Sequence, residues 1–174
     1  LTKTQLQIAA DGAALAGCLE LPDGLGPQPV NTLAETSDNV AAAASAVAGV
    51  NKNGDRSGTY LNTTSDLQLG QAVWNADAGM WVTTWGVSPY NAVRVSARRD
   101  SAGSTGGDQP LKMMFAPVIG VDQLSISSTA TAALLPGVGF KIASGSSATI
   151  DVLPIALDVP TWENLMNGVG SDNY

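Results

Sequence analysis

The residues that could carry out chemistry are few and widely spaced in this chain. It contains no histidine and one cysteine, Cys18, which excludes serine–histidine and cysteine–histidine nucleophilic systems and a structural zinc site. A glycosidase needs two carboxylates about 5–10 Å apart, and only Asp151 and Asp158 qualify, because they lie in an otherwise apolar region. The simpler interpretation is that Asp158 caps a short helix and Asp151 lies at a strand edge. We therefore predict no catalytic, cofactor-binding or metal-binding residue, and no enzyme activity.

Three tryptophans lie close together in the sequence, at Trp74, Trp81 and Trp85. On an exposed face their rings could stack on sugars, which would indicate a surface carbohydrate-binding or adhesin module. Packing in the core, or between a helix and a sheet, needs no ligand. We favour core packing, and keep ligand stacking as the alternative.

A polar loop is predicted over residues 51–66. It alternates oxygen-bearing side chains as a calcium loop does, but it lacks a closing glutamate and has one charged candidate ligand, and we favour a solvated loop. The candidate ligands are Asn51, Asn53, Asp55 and Ser57.

The charge of the chain argues against polyanionic partners. The net charge is −7 and the pI about 4.2, so nucleic acid and an anionic lipid surface would be repelled. The one basic cluster, Arg94, Arg98 and Arg99, is too small to reverse this. Arg98 and Arg99 could bind an anion, but we favour a solvated strand end. We expect Cys18 to be a small buried hydrophobic residue.

The candidate residues must be positioned by a folded framework, and its first part is predicted to be helical, over residues 1–50. Leu1, Ile8, Leu15 and Leu19 repeat at intervals of seven and four in a first helix over 1–19. A row of small residues runs between them and allows close approach of a neighbour. We favour a helix lying flat on a sheet, and a packing surface for other subunits or membrane partners is the alternative. The candidate surface comprises Ala9, Gly12, Ala13, Ala16 and Gly17.

A second helix is predicted after the Pro- and Gly-rich break at 21–29. Thr32 and Glu35 have the spacing of a capping box, and the helix should end near Gly49. Its apolar stripe is formed by Val40, Ala44 and Val47.

From residue 67 the apolar pattern changes to period two, which is typical of strands. Val93, Val95 and Ala97 share one face of a strand, and Arg94, Ser96 and Arg98 share the other. In one long predicted strand over 121–136 the apolar residues again share one parity, and further strands are predicted at 138–144 and 148–157. A short helix at 159–168 follows. The prediction is an α+β domain over 1–174, with N-terminal helices on a mostly antiparallel sheet over 65–158.

Four stretches in series resemble TadG-like Flp (tight-adherence) pilus-assembly proteins. They are "LQIAADGAALAG" (6–17), "DLQLGQAVW" (66–74), "NAVRVSARR" (91–99) and "PLKMMFAPVIGVDQLSISSTATA" (110–132). The resemblance covers roughly residues 5–134, and the Asn-Ala-Val-Arg-Val strand followed by the Ala-Thr-Ala strand end is its most specific part.

This resemblance implies a cell-envelope protein with a pilin-like or pseudopilin-like architecture. Its members have one N-terminal transmembrane helix, with the rest of the chain outside the inner membrane, periplasmic or extracellular. The helix would lie upstream of Leu1, and the chain is expected to be a fragment of a longer protein. The resemblance implies pilus or secretion-system subunits as partners, and it brings no catalytic residues and no cofactor.

Overall fold

The computed structural model describes residues 1–135, together with the isolated positions 164 and 167. The chain divides into two compact units, Leu1–Pro136 and Gly137–Tyr174, and all of the helices and strands named below lie in the first. The predicted strands at 138–144 and 148–157, the short helix at 159–168, and Asp151 and Asp158 lie outside the described residues.

Two helices of equal length open the fold. The helix α1 spans Thr2–Leu19 and α2 spans Leu33–Val50, with a short 3-10 turn at Pro22–Gly24 between them. The predicted capping box is confirmed: the Glu35 backbone N–H donates to Oγ1 of Thr32 at 3.2 Å, and the Thr32 N–H donates to the Glu35 carboxylate at 2.8 Å. That backbone donor holds the pKa of Glu35 below its ordinary value. The cap explains why α2 begins where it does.

Four strands form one antiparallel sheet in the order β2-β1-β3-β6. The helices pack on this curled sheet, which confirms the α+β prediction. A separate two-stranded hairpin consists of β4 and β5. The strands are β1 (Leu67–Asn75), β2 (Met80–Trp85), β3 (Ala92–Arg99), β4 (Leu111–Lys112), β5 (Gln123–Leu124) and β6 (Ile126–Ala133).

The predicted single strand over 121–136 is instead two strands, β5 and β6. The chain changes its pairing partner at Ser125: Leu124 pairs with Leu111 of β4, whereas Ile126 pairs with Arg99 of β3. A uniform period-two pattern does not reveal a change of partner, because both partners require the same alternation.

The core lies between α1 and the inner face of β3 and β6. Val93, Val95 and Ala97 are fully buried on that face, as the alternation predicts. Across the strand pair, Val95 lies opposite Ala130 and Ala97 opposite Ser128. Ser128 donates from Oγ to the Lys3 carbonyl at 3.3 Å, which ties β6 to the start of α1.

The second helix packs against α1 and runs antiparallel to it, since Gly12 lies beside Val47 and Gly17 beside Val40. The predicted stripe of α2 is buried at Val40 and Ala44 and half-buried at Val47. Cys18 is buried, as expected, and desolvation raises the pKa of its thiol.

Candidate interaction surfaces

The small-residue row of α1 faces inward. Ala9, Ala13 and Gly17 are buried, whereas Gly12 and Ala16 are half-buried. A Cβ atom added at Gly12 would lie 3.2 Å from Cγ1 of Val47, and one added at Gly17 would lie 2.9 Å from Cγ1 of Val40. The row therefore lets α2 of the same chain approach closely, and only its half-buried edge is open to another molecule.

Apart from Leu6, which is fully buried, the large aliphatic side chains of residues 1–19 lie on the opposite side of α1. More than half of the accessible surface of each is exposed, and their spacing of seven and four places them on one side of the helix. We call this set the free face of α1; it consists of Leu1, Ile8, Leu15 and Leu19. With the exception of Leu6, the usual amphipathic arrangement, with large residues inward, is thus inverted.

The outer face of the sheet carries the three tryptophans. Trp74 and Trp81 are cross-strand neighbours. Their ring centroids lie 5.7 Å apart, and the angle between the two ring planes is 66°. The Arg94 guanidinium lies 4.0 Å from the ring centroid of Trp85, within range of a cation–π interaction. Arg94 also donates to Oε1 of Gln68 at 3.3 Å.

The expectation that the tryptophans pack in the core is wrong. Trp74 and Trp81 are exposed and Trp85 is half-buried. The helix α1 packs on the inner face of β3 and β6, whereas the tryptophans lie on the outer face of β1 and β2. Flat sugar stacking favours coplanar rings, and the 66° angle between Trp74 and Trp81 does not provide them. The outer face is therefore an exposed aromatic surface without the geometry that the carbohydrate hypothesis needs.

Arg99 organises the polar loop over 51–66. Its guanidinium is 1% exposed and donates to Asp55 Oδ1 at 2.8 Å and to the side-chain oxygen of Asn53 at 3.2 Å. Its Nε donates to the Gln109 carbonyl. The hydrogen bond from Arg99 holds the pKa of Asp55 below its ordinary value.

Two expectations about this region are therefore wrong. Arg99 is not at a solvated strand end, and the loop is not simply solvated, since Asn53 and Thr59 are buried. Asp55, the one charged candidate for a calcium ligand, is instead an ion-pair partner of Arg99. Among the described residues, no group of three or more histidine, cysteine or acidic side chains could hold a metal ion.

Arg98 forms a second ion pair at the start of β1. Its Nε lies 2.6 Å from Oδ1 of Asp66, which is buried, and its Nη2 donates to Oγ of Ser65 at 3.0 Å. Arg98 and Arg99 thus each hold a different part of the 51–66 loop on the end of β3, and their role is structural.

The β4–β5 hairpin exposes an apolar loop that the sequence analysis did not single out. Met114, Phe115 and Val118 are each more than four-fifths exposed. The sequence contains one sign of this loop: the apolar run between Pro110 and Gly120 is longer than the two-residue strand β4 requires.

Among residues 1–135, no helix is long and apolar enough to cross a membrane. A family model, Tad_C, described as putative Tad-like Flp pilus-assembly, matches residues 27–132. The match covers more than half of the 174 residues, from α2 to β6, and leaves out α1. Neither a curated protein nor a solved structure matches the chain.

Proposed function

This chain belongs to the family of Tad-like Flp pilus-assembly proteins, and we propose that it is a non-enzymatic, pseudopilin-like subunit of the pilus machinery that binds other subunits through the free face of α1. The family associates it with pilus assembly and the cell envelope. In this proposal a transmembrane helix precedes Leu1 and anchors the domain at the inner membrane.

One observation carries the assignment of the surface. Ile8, Leu15 and Leu19 stand exposed along one side of a helix that the rest of the fold already holds in place. A single exposed leucine is ordinary, but a row along about three turns of helix is typical of a surface that packs against a partner. The half-buried Gly12 and Ala16 border this face, so the outer edge of the small-residue row would belong to the same contact.

The experiment is a count of pili on cells that carry variants in the chromosomal copy of the gene. Ile8→Lys and Leu15→Lys place charges on the free face without touching the core. Ala42→Lys is the matched control, because Ala42 is exposed on α2. We expect loss of pili in the two α1 variants and normal pili in the control, with equal protein levels on immunoblots.

Normal numbers of pili in both α1 variants would show that the free face of α1 is not the surface that binds other subunits. Loss of pili in the control as well would indicate a general sensitivity to added charge and would count equally against the proposal.

A further inference from the structure

The loop between β4 and β5 presents three large apolar side chains to solvent. Met114 is 84% exposed, Phe115 81% and Val118 90%, and they lie within five residues of one another. Scattered apolar residues are normal on a protein surface, whereas a contiguous group at the tip of a loop marks an interaction site. We call residues 113–121 the apolar loop.

The backbone of the apolar loop is hydrogen-bonded within itself. Met113 donates its N–H to the Asp122 carbonyl at 3.0 Å, and Gly120 donates to the Pro117 carbonyl at 3.0 Å. Ala116–Ile119 forms a 3-10 turn. Internal pairing lowers the cost of placing a loop in an apolar medium, where an unpaired N–H or C=O has no water to bond.

Basic side chains surround the base of the apolar loop. Lys112 precedes it, and Lys112 and Arg56 line one cavity of about 410 Å³. Lys112 and Lys52 line a neighbouring cavity of about 480 Å³. Two acids lie among them: Asp55 pairs with Arg99 and Arg56, and the Asp122 carbonyl accepts from Met113 at the base of the hairpin. The four basic residues Lys52, Arg56, Arg99 and Lys112 outnumber these two acids. This end of the unit is therefore locally basic in a chain of net charge −7.

The apolar loop lies at the same end of the unit as the start of α1. Leu1 and Thr2 line the larger cavity together with Lys112 and Met113. At Gly54, Cδ2 of Leu111 and Cγ2 of Thr2 each lie 3.1 Å from the position of an added Cβ. The hairpin and the first turn of α1 thus meet around this glycine.

We propose that the apolar loop inserts into the surface of an anionic lipid bilayer, with Met114, Phe115 and Val118 entering the acyl boundary and Lys52, Arg56 and Lys112 facing the phosphate headgroups. Apolar tips flanked by basic residues are the chemistry of peripheral membrane binding. The expectation that an anionic lipid surface is repelled rests on the net charge of the whole chain. At about 0.1 M salt, charges more than about 10 Å from a headgroup are largely screened, so the proposal depends instead on the basic residues near the loop. The proposal goes beyond the pilus role and needs no transmembrane helix, although such a helix would bring the loop to the same surface.

The test is co-sedimentation of the purified 174-residue chain with vesicles of phosphatidylcholine, with and without phosphatidylglycerol. We expect binding to the anionic vesicles that weakens as the salt concentration rises. The double variant Phe115→Ser/Val118→Ser should lower the partition coefficient by about tenfold or more. Its matched control is Val30→Ser/Leu33→Ser, whose positions are 82% and 48% exposed and lie at the other end of the helix pair. The control should bind as the unchanged chain does.

Charge variants separate the electrostatic contribution to membrane binding from the contribution of apolar insertion. Lys52→Gln and Lys112→Gln should each lower affinity for anionic vesicles by about fivefold, without changing any residual binding to neutral vesicles. Arg94→Gln, on the outer face of the sheet, removes the same charge elsewhere and should leave binding unchanged. Far-UV circular dichroism checks that each variant is folded.

A fluorophore locates the contact directly. A polarity-sensitive label on Val118→Cys should brighten when anionic vesicles are added, whereas one on Val30→Cys should not. Absence of binding by the unchanged chain at low salt would overturn the proposal, and so would equal binding by the loop variant and its control. Either result would leave the pilus counts unaffected, so the two proposals fail separately. A third result would also overturn the membrane proposal. If the label at position 118 brightens on addition of another copy of the chain but not of vesicles, the loop binds a protein partner.

Discussion

Replacing Gly17 by alanine tests the close approach of α1 to α2. A Cβ atom at this position would lie 2.9 Å from Cγ1 of Val40 and 3.4 Å from Cγ1 of Val93. Non-bonded carbon atoms prefer about 3.5–4.0 Å, and both valines are fully buried, so neither can swing into solvent. Overpacking costs about 1–3 kcal/mol, whereas exchanging a helical glycine for alanine gains about 1 kcal/mol. We expect the free energy of unfolding to fall by about 1 kcal/mol.

The same substitution at Gly49 provides the control. Gly49 lies in the last turn of α2, and no atom lies within 4 Å of an added Cβ. Only the helix propensity changes, so Gly49→Ala should raise the free energy of unfolding by about 0.5–1 kcal/mol. Urea denaturation followed by far-UV circular dichroism measures both variants, with equal slopes required for the comparison.

A double-mutant cycle then assigns the cost to Val40. Val40→Ala removes the clashing methyl group, so adding Gly17→Ala to it should no longer destabilise, and the coupling should be about 1–2 kcal/mol. The reasoning is refuted if Gly17→Ala stabilises the chain as much as Gly49→Ala does, or if the cycle shows no coupling.

Three further substitutions test other contacts by the same denaturation assay. Arg99→Met removes the buried guanidinium from the polar loop, and we expect the free energy of unfolding to fall by about 2–4 kcal/mol. Because Arg99 holds the pKa of Asp55 below its ordinary value of 3.8, the stability from ionised Asp55 is complete above that pH and is lost as the pH falls through the lower folded-state pKa. The acid limb of a stability–pH curve should therefore be shallower in Arg99→Met. Gly70→Ala places a Cβ 2.8 Å from the Trp85 ring, and we expect an altered near-UV dichroism and a loss of about 1–3 kcal/mol. Thr32→Ala removes the cap of α2 and should cost about 1 kcal/mol.

Each of these predictions has an outcome that would contradict it. Stability within error of the unchanged chain after Arg99→Met would mean that the polar loop does not depend on the guanidinium. An acid limb of equal slope would deny the link to Asp55. An unchanged near-UV spectrum in Gly70→Ala would show that Trp85 has room to accommodate the methyl group. Equal losses in Thr32→Ala and Thr32→Ser would show that the hydroxyl is not the stabilising group.

Local features of this fold could be predicted from the sequence because their causes are local. The Thr32–Glu35 cap needs only residues three apart, and the inner face of β3 follows from alternation alone. The family resemblance rests on sequence in the same way, and the match over residues 27–132 confirms it.

What could not be predicted depends on which face of each element is covered. Alternation places Trp74 and Trp81 on one face of the sheet. It does not record that α1 packs on β3 and β6, which leaves both faces of the β1–β2 pair exposed, at Trp74 and Trp81 and at Val73 and Val82. Arg99 is buried because loop residues more than forty positions earlier supply its acceptors, and no local pattern records that. In α1, a pattern of large and small residues is compatible with either side facing inward.

The inverted arrangement of α1 separates two uses of one helix. The small side chains maintain the fold, since a larger one at Gly17 collides with Val40. Leu6 is also buried in the core, but the four large side chains of the free face contribute little to the fold, and most of their hydrophobic free energy is still available after the chain has folded. Full burial of such side chains is worth about 1.5–3 kcal/mol each, so covering the four could contribute roughly 5 kcal/mol or more to association. Genetic screens on this helix should therefore return two classes of allele. Substitutions at the buried glycine and alanines should lower protein abundance, and substitutions at Ile8, Leu15 and Leu19 should leave abundance normal and abolish assembly.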